Sequence, residues 1–106
     1  MVTKRNDKGM VVMGEKMKRQ SLVHGERTHL VKFSLEKGSI MPLHNHPHEQ
    51  TGYLLTGNMR LTINGQDYDL EPGDSWCIGP NVSHEAAVRE DATVLEVFSP
   101  LRKDYL

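Results

Sequence analysis

The sequence predicts an all-β chain, a sandwich or small barrel, and three observations predict it. Strand-period alternation is frequent while helix-period patterns are weak. An Asn-Gly pair joins two alternating runs. Glycine-bearing turns separate short runs along the chain, the pattern of a closed or two-layered β architecture.

The elements follow in order. Residues 1–9 are expected to be a frayed terminus, and "MVVMG" an edge strand after it. In "VKFSLE", Val31, Phe33 and Leu35 share one face and Lys32, Ser34 and Glu36 the other, as in a half-buried strand. In "MRLTIN", Met59, Leu61 and Ile63 alternate with Arg60, Thr62 and Asn64. Asn64-Gly65 follows, and "QDYDL" alternates again. Both turn residues tolerate positive φ, so this is a hairpin. "EPGD" (71–74) is a second turn, because proline presets φ and glycine accepts the unusual angle. "SWCIGPN" leads to His84, and "ATVLEVF" reads as a late strand.

Composition narrows the function classes. A chain of 106 residues is one domain, 1–106, by default. That length hides about 65% of the unfolded chain's surface, enough for one core. Charged residues make up 25% and apolar residues 37%, a soluble balance. A net charge of −1 argues against a nucleic-acid footprint. No apolar run approaches the length of a membrane span, and no signal peptide is visible, so the cytoplasm is the expected compartment. Cys77 is the single cysteine, which rules out an intramolecular disulfide. It is expected as a small buried apolar side chain.

The chemistry concentrates in "PLHNHPHEQTGYLLTG" (42–57), where His44, His46 and His48 alternate ahead of Glu49 and Gln50. On a strand, residues two apart project from one face about 6.6 Å apart, so His44 and His46 can converge on one ion. Pro42 and Pro47 stiffen the segment. Gln50 keeps the same parity and can supply a carbonyl oxygen; His48 has the parity to take its place. Glu49 has the opposite parity and is expected to face away. His84, distant in the chain, can return on a neighbouring strand. The bland alternative is a polar loop with incidental histidines. His24 and His29 lie outside the cluster and read as ordinary polar residues.

Two segments carry a family resemblance. "GSIMPLHNHPHEQTGYLLTG" (38–57) resembles the first cupin motif at Gly38, His44, His46, Gln50 and Gly57. "GDSWCIGPNVSH" (73–84) resembles the second, departing from it at Gly79 and Asn81. The resemblance implies the cupin double-stranded β-helix, a jelly-roll-like small barrel. It also implies one divalent metal ion held by His44, His46, Gln50 and His84. Imidazole suits zinc, nickel, iron, manganese and copper, so the metal's identity stays open.

A shell of three neutral imidazoles and one neutral amide leaves the ion's charge uncancelled, which favours an anionic ligand. It weakens the case for dioxygen-activating iron, which usually carries a carboxylate. In "VLEVFSPLRKDYL" (94–106), Val94, Glu96 and Phe98 share a face. Glu96 is an acid in an apolar run; the bland reading pairs it with Arg102 or Lys103 on an edge strand. The tail, with "HPHEQ" and the second motif, is similar to the pectin-degradation cupins that open 4,5-unsaturated monouronates to keto acids. That resemblance implies substrate roles for Glu96, Phe98 and Arg102, with glutamate standing where the family has aspartate. It further implies a small anionic substrate and a homodimer. Two other readings remain: another cupin enzyme, such as a dioxygenase or sugar isomerase, and a non-catalytic module binding a small ligand at the metal. Oxygen consumption would mark the dioxygenase; a full ligand set without turnover would mark the module.

Overall fold

Alternating side chains dictate strands that bury one face. In the computed structural model, which describes residues 1–106, eight such strands form. They are β1 (Val11–Gly14), β2 (Met17–His24), β3 (His29–Leu35), β4 (Ile40–His44), β5 (Glu49–Ile63), β6 (Gln66–Leu70), β7 (Ser75–Ile78) and β8 (His84–Ser99). A single 3₁₀ turn at Lys103–Tyr105 follows. No helix is long and apolar enough to cross a membrane.

β3 buries Val31, Phe33 and Leu35 and leaves Lys32 and Ser34 partly exposed, as the alternation predicts. Asn64 (φ 48°) and Gly65 (φ 80°) form the turn between β5 and β6, with Ile63 facing Gln66. Positive φ at both central residues matches the right-handed twist of the strands it joins. β1 lies at the sheet edge, as "MVVMG" suggests. The segment before it contains one turn and is tied to β2 by the Gln20 amide, which donates to the Asn6 carbonyl at 2.7 Å.

β5 and β8 are long enough to serve two sheets. The first half of β5 pairs with β7 and with the second half of β8, which also pairs with β3. The second half of β5 pairs with β6 and with the first half of β8, which also pairs with β4. Register breaks on β5 between Leu54 and Met59 mark the bend between sheets. Gly57 (φ 96°) sits there, and a Cβ at that position would run into the backbone of Asp91 and Ala92. Bulges of this kind let one strand turn a barrel corner. The inner faces meet in a core that includes Phe33, Leu54, Leu61, Val94 and Phe98.

Two expectations need correction, and one strand was not foreseen. Cys77 is exposed rather than buried. On β7 the inward positions are Trp76 and Ile78, so the residue between them faces out. "QDYDL" buries only Leu70, because β6 is an outer strand whose Asp67 and Asp69 pair with Arg60. β2 is a strand the alternation did not indicate.

Candidate metal centre

The histidine cluster is not one continuous strand. β4 ends at His44, the chain bends through His46 and His48, and β5 starts at Glu49. The alternation survives the break in strand: His44, His46, His48 and Gln50 face inward, while Asn45, Pro47 and Glu49 are exposed. β8 starts at His84, which lies opposite His44 across the β4–β8 pair. The ligand atoms of His44, His46 and His84 all lie within 4.8 Å of one another, a group that can hold a metal ion.

The rings are oriented for it. Nδ1–H of His44 donates to the Pro42 carbonyl at 2.8 Å, and Nδ1–H of His84 donates to the Val82 carbonyl at 2.8 Å. Each bond fixes the tautomer that leaves Nε2 free as a ligand. Neither ring nitrogen of His46 has a hydrogen-bond partner, though both are buried. Burial pushes the His46 imidazole down to about 4, with Arg102, His84 and His44 pushing the same way and the Gln50 amide opposing. Burial also lowers His84. Neutral imidazoles are the ligating form.

Gln50, the second residue of β5, is buried. Its Nε2–H donates to Oε2 of Glu96, which leaves its Oε1 buried and without a partner. Orphaned buried polar atoms are costly, and an ion at this point would satisfy one ring nitrogen of His46 and the Gln50 oxygen. The residues therefore fit a divalent cation held by three imidazoles and one amide oxygen. His48 is not in the close group. Its ring lies 5.3 Å from His46 and 6.4 Å from Phe98, and its Nδ1 is buried without a partner. Glu49 is exposed, as its parity predicts.

Glu96 faces inward with Val94 and Phe98 and lines the same cavity as the three histidines, Gln50 and Arg102. The indole N–H of Trp76 donates to its Oε2 at 3.2 Å. Burial pushes the Glu96 carboxyl up to about 7, against the bonds from Trp76 and Gln50 and the charge of Arg102. Gly52 makes this arrangement available. It lies opposite both Trp76 on β7 and Glu96 on β8, and a Cβ there would run into the indole. The missing side chain lets the indole cross β5 to reach the acid.

Glu96 is thus not an edge-strand carboxylate paired with Arg102 or Lys103. Arg102 instead forks onto Asp104, with Nε at 3.1 Å and Nη2 at 2.9 Å. Its guanidinium lies 5.0 Å from the Phe98 ring centre and 4.0 Å from that of Tyr105. Lys103 is exposed. Sequence reasoning missed Trp76 and Tyr105, both of which line the cavity. Trp76 shares its parity with buried Ile78, a signal present in the second motif. Tyr105 lies beyond the last strand and carries no periodic signal.

The barrel of two sheets sharing β5 and β8, lined by a histidine trio able to hold a metal ion, defines a class of small β-barrel. The cupin-domain family Cupin_2 matches residues 31–99, and the chain belongs to it. Among curated relatives, the pectin degradation protein KdgF of Dickeya dadantii (strain 3937) is 30% identical over 96 residues, covering 89% of this chain and 87% of that protein. The solved structure of KdgF from Halomonas sp. superposes with a TM-score of 0.92 at 25% identity, covering 100% of this chain and 98% of that one. An RmlC-like cupin from Shewanella frigidimarina NCIMB 400 superposes with a TM-score of 0.92 at 28% identity, covering 98% and 95%.

Proposed function

We propose that the chain is a metal-dependent enzyme of uronate breakdown that opens the ring of 4,5-unsaturated monouronates to give open-chain keto acids. One observation carries the reading. A partly buried acid, Glu96, accepts a hydrogen bond from Gln50, and both line one cavity with Arg102 and a histidine group able to hold a cation. The likeness to the two KdgF proteins supports the substrate class.

The chemistry needs no redox step. An unsaturated uronate is a cyclic hemiacetal whose ring oxygen is attached to an alkene carbon. Glu96 takes the proton of the anomeric hydroxyl as the bond from the anomeric carbon to the ring oxygen breaks. It then returns that proton to the other alkene carbon, the one that does not carry the oxygen, so the enolate becomes a ketone and the product is an isomer with no atoms gained or lost. A cation on His44, His46, Gln50 and His84 would supply Lewis acidity toward the oxygen on which charge develops. The Arg102 guanidinium anchors the substrate carboxylate. Phe98, nearly fully buried beneath Arg102, backs the cavity wall against which the sugar ring lies. Incubating metal-loaded protein with unsaturated galacturonate should remove the enol-ether absorbance without oxygen uptake. Oxygen uptake would instead indicate a dioxygenase.

Two substitutions probe the parts separately. Gln50→Glu should hold metal as tightly or tighter, because a carboxylate cancels part of the ion's charge, while raising KM for anionic substrates. It also sets two acids face to face where the Gln50 amide now donates to Glu96. Metal titration and steady-state kinetics check this; a lower KM would contradict the electrostatics. Arg102→Lys should raise KM about tenfold, since a point charge replaces neither the planar fork nor its stacking on Phe98 and Tyr105. Unchanged kinetics would return Arg102 to a purely structural pairing with Asp104.

A further inference from the structure

His29 is 0% exposed, and the proposed reaction gives it no part. Both of its ring nitrogens are nevertheless committed. The backbone N–H of Arg102 donates to Nδ1 at 3.2 Å. Nδ1 therefore carries no proton, and Nε2–H donates to Oγ of Ser21 at 2.6 Å. The Ser21 hydroxyl donates in turn to the Tyr105 carbonyl at 2.7 Å. Between these two anchors the tail closes on itself, the Tyr105 N–H donating to the Arg102 carbonyl at 2.8 Å. The donors run one way around the whole set and require a neutral imidazole. Burial holds His29 below its ordinary range, with His24 and Arg102 pushing the same way and Asp104 opposing.

The tail has other holds. Nη2 of Arg19 donates to the Asp104 carbonyl at 3.3 Å, and its guanidinium lies 4.3 Å from the Tyr105 ring centre. The Tyr105 ring meets Phe33 and Phe98 edge-on at 6.2 Å and 5.9 Å. These contacts keep the tail against the barrel. The His29 bond ties the Arg102 backbone to a strand of the barrel, and it does so beside Phe98, which faces His29 across the β3–β8 pair.

We infer that His29 and Ser21 are positioning residues that clamp residues 102–105 onto β2 and β3 and so set the Arg102 guanidinium at the wall of the metal pocket. The inference rests on the reading of Arg102 as the carboxylate anchor. It makes the tail a built part of the site, held from behind by two strands that contribute no ligand.

The test pairs hydrogen exchange with kinetics on metal-loaded full-length protein. In His29→Leu, the Arg102 and Tyr105 amides should exchange about tenfold faster, as expected when one buried hydrogen bond is lost. KM for unsaturated galacturonate should rise in parallel, with kcat and metal content held. His29→Asn offers a carbonyl where Nδ1 now accepts, and should restore Arg102 protection and most of the KM. Ser21→Ala, a milder change, should loosen the Tyr105 end and serves if the leucine variant does not fold. Combined with Arg102→Lys, Ser21→Ala should add nothing further to KM, because both act through one group. Unaltered tail exchange in His29→Leu and Ser21→Ala would overturn the clamp. So would an unaltered KM in those variants when Arg102→Lys alone raises it. A wild-type protein inert toward unsaturated uronates would sink the proposed reaction alone, since the exchange rates still read the clamp directly.

Discussion

Glu96→Gln should keep its fold and its metal and lose on the order of 10²-fold or more in kcat, the scale of general acid–base help. The geometry makes this a clean substitution. Oε2 of Glu96 accepts from both Gln50 and Trp76. A glutamine can turn its carbonyl oxygen to both donors, so the hydrogen bonds persist while the proton-carrying group is gone. Glu96→Asp should retain part of the activity, because the acid survives with a shorter reach. Single-turnover kinetics on metal-loaded variants decide it. A glutamine variant as fast as wild type would remove Glu96 from the proton transfers.

Loss of a histidine ligand should be more severe. His46→Ala or His84→Ala should weaken metal binding by more than about 100-fold, beyond the range typical of changes that only orient a ligand, and turnover should disappear with the metal. The two positions fail differently. His46 leaves behind a cavity and an unpartnered Gln50 oxygen. His84 also gives up the bond from its Nδ1–H to the Val82 carbonyl, which orders the turn into β8. Elemental analysis of both variants, alongside circular dichroism to verify folding, measures this. Wild-type metal content in both would mean the ion sits elsewhere.

How much of this is legible in the sequence depends on whether a residue's role is local. Val31, Phe33 and Leu35 announce β3 because a strand with one wet face must alternate. Asn64-Gly65 announces its hairpin because few other pairs accept two positive φ angles. β2 is illegible for the opposite reason: most of Met17–His24 is half-buried, with neither face fully wet nor fully dry. The histidine trio is readable from its spacing and motif, and its inward alternation persists through the break at residues 45–48, yet the pairing of β4 with β8 that sets His84 opposite His44 is not written near either residue. The bond from Gln50 to Glu96 spans 46 positions and follows from the register of β5 against β8, where Gln50 faces Phe98 and Gly52 faces Glu96. Nothing near either residue encodes that register. His29 looks like any polar residue until Arg102 and Ser21 close around it.

β8 pairs with β3, β4 and β5, and without it neither sheet is continuous. Its partners lie far away in the chain, so loop-closure entropy is lost before these contacts compensate, and folding of such topologies takes on the order of milliseconds to seconds. His84 and Glu96 both ride on this strand. The ligand set is therefore complete only once β8 has docked. A cation that binds only the finished barrel leaves the folding rate where it was and lengthens the lifetime of the native state. For this chain the ion would act as a brake on unfolding, not as a template for folding.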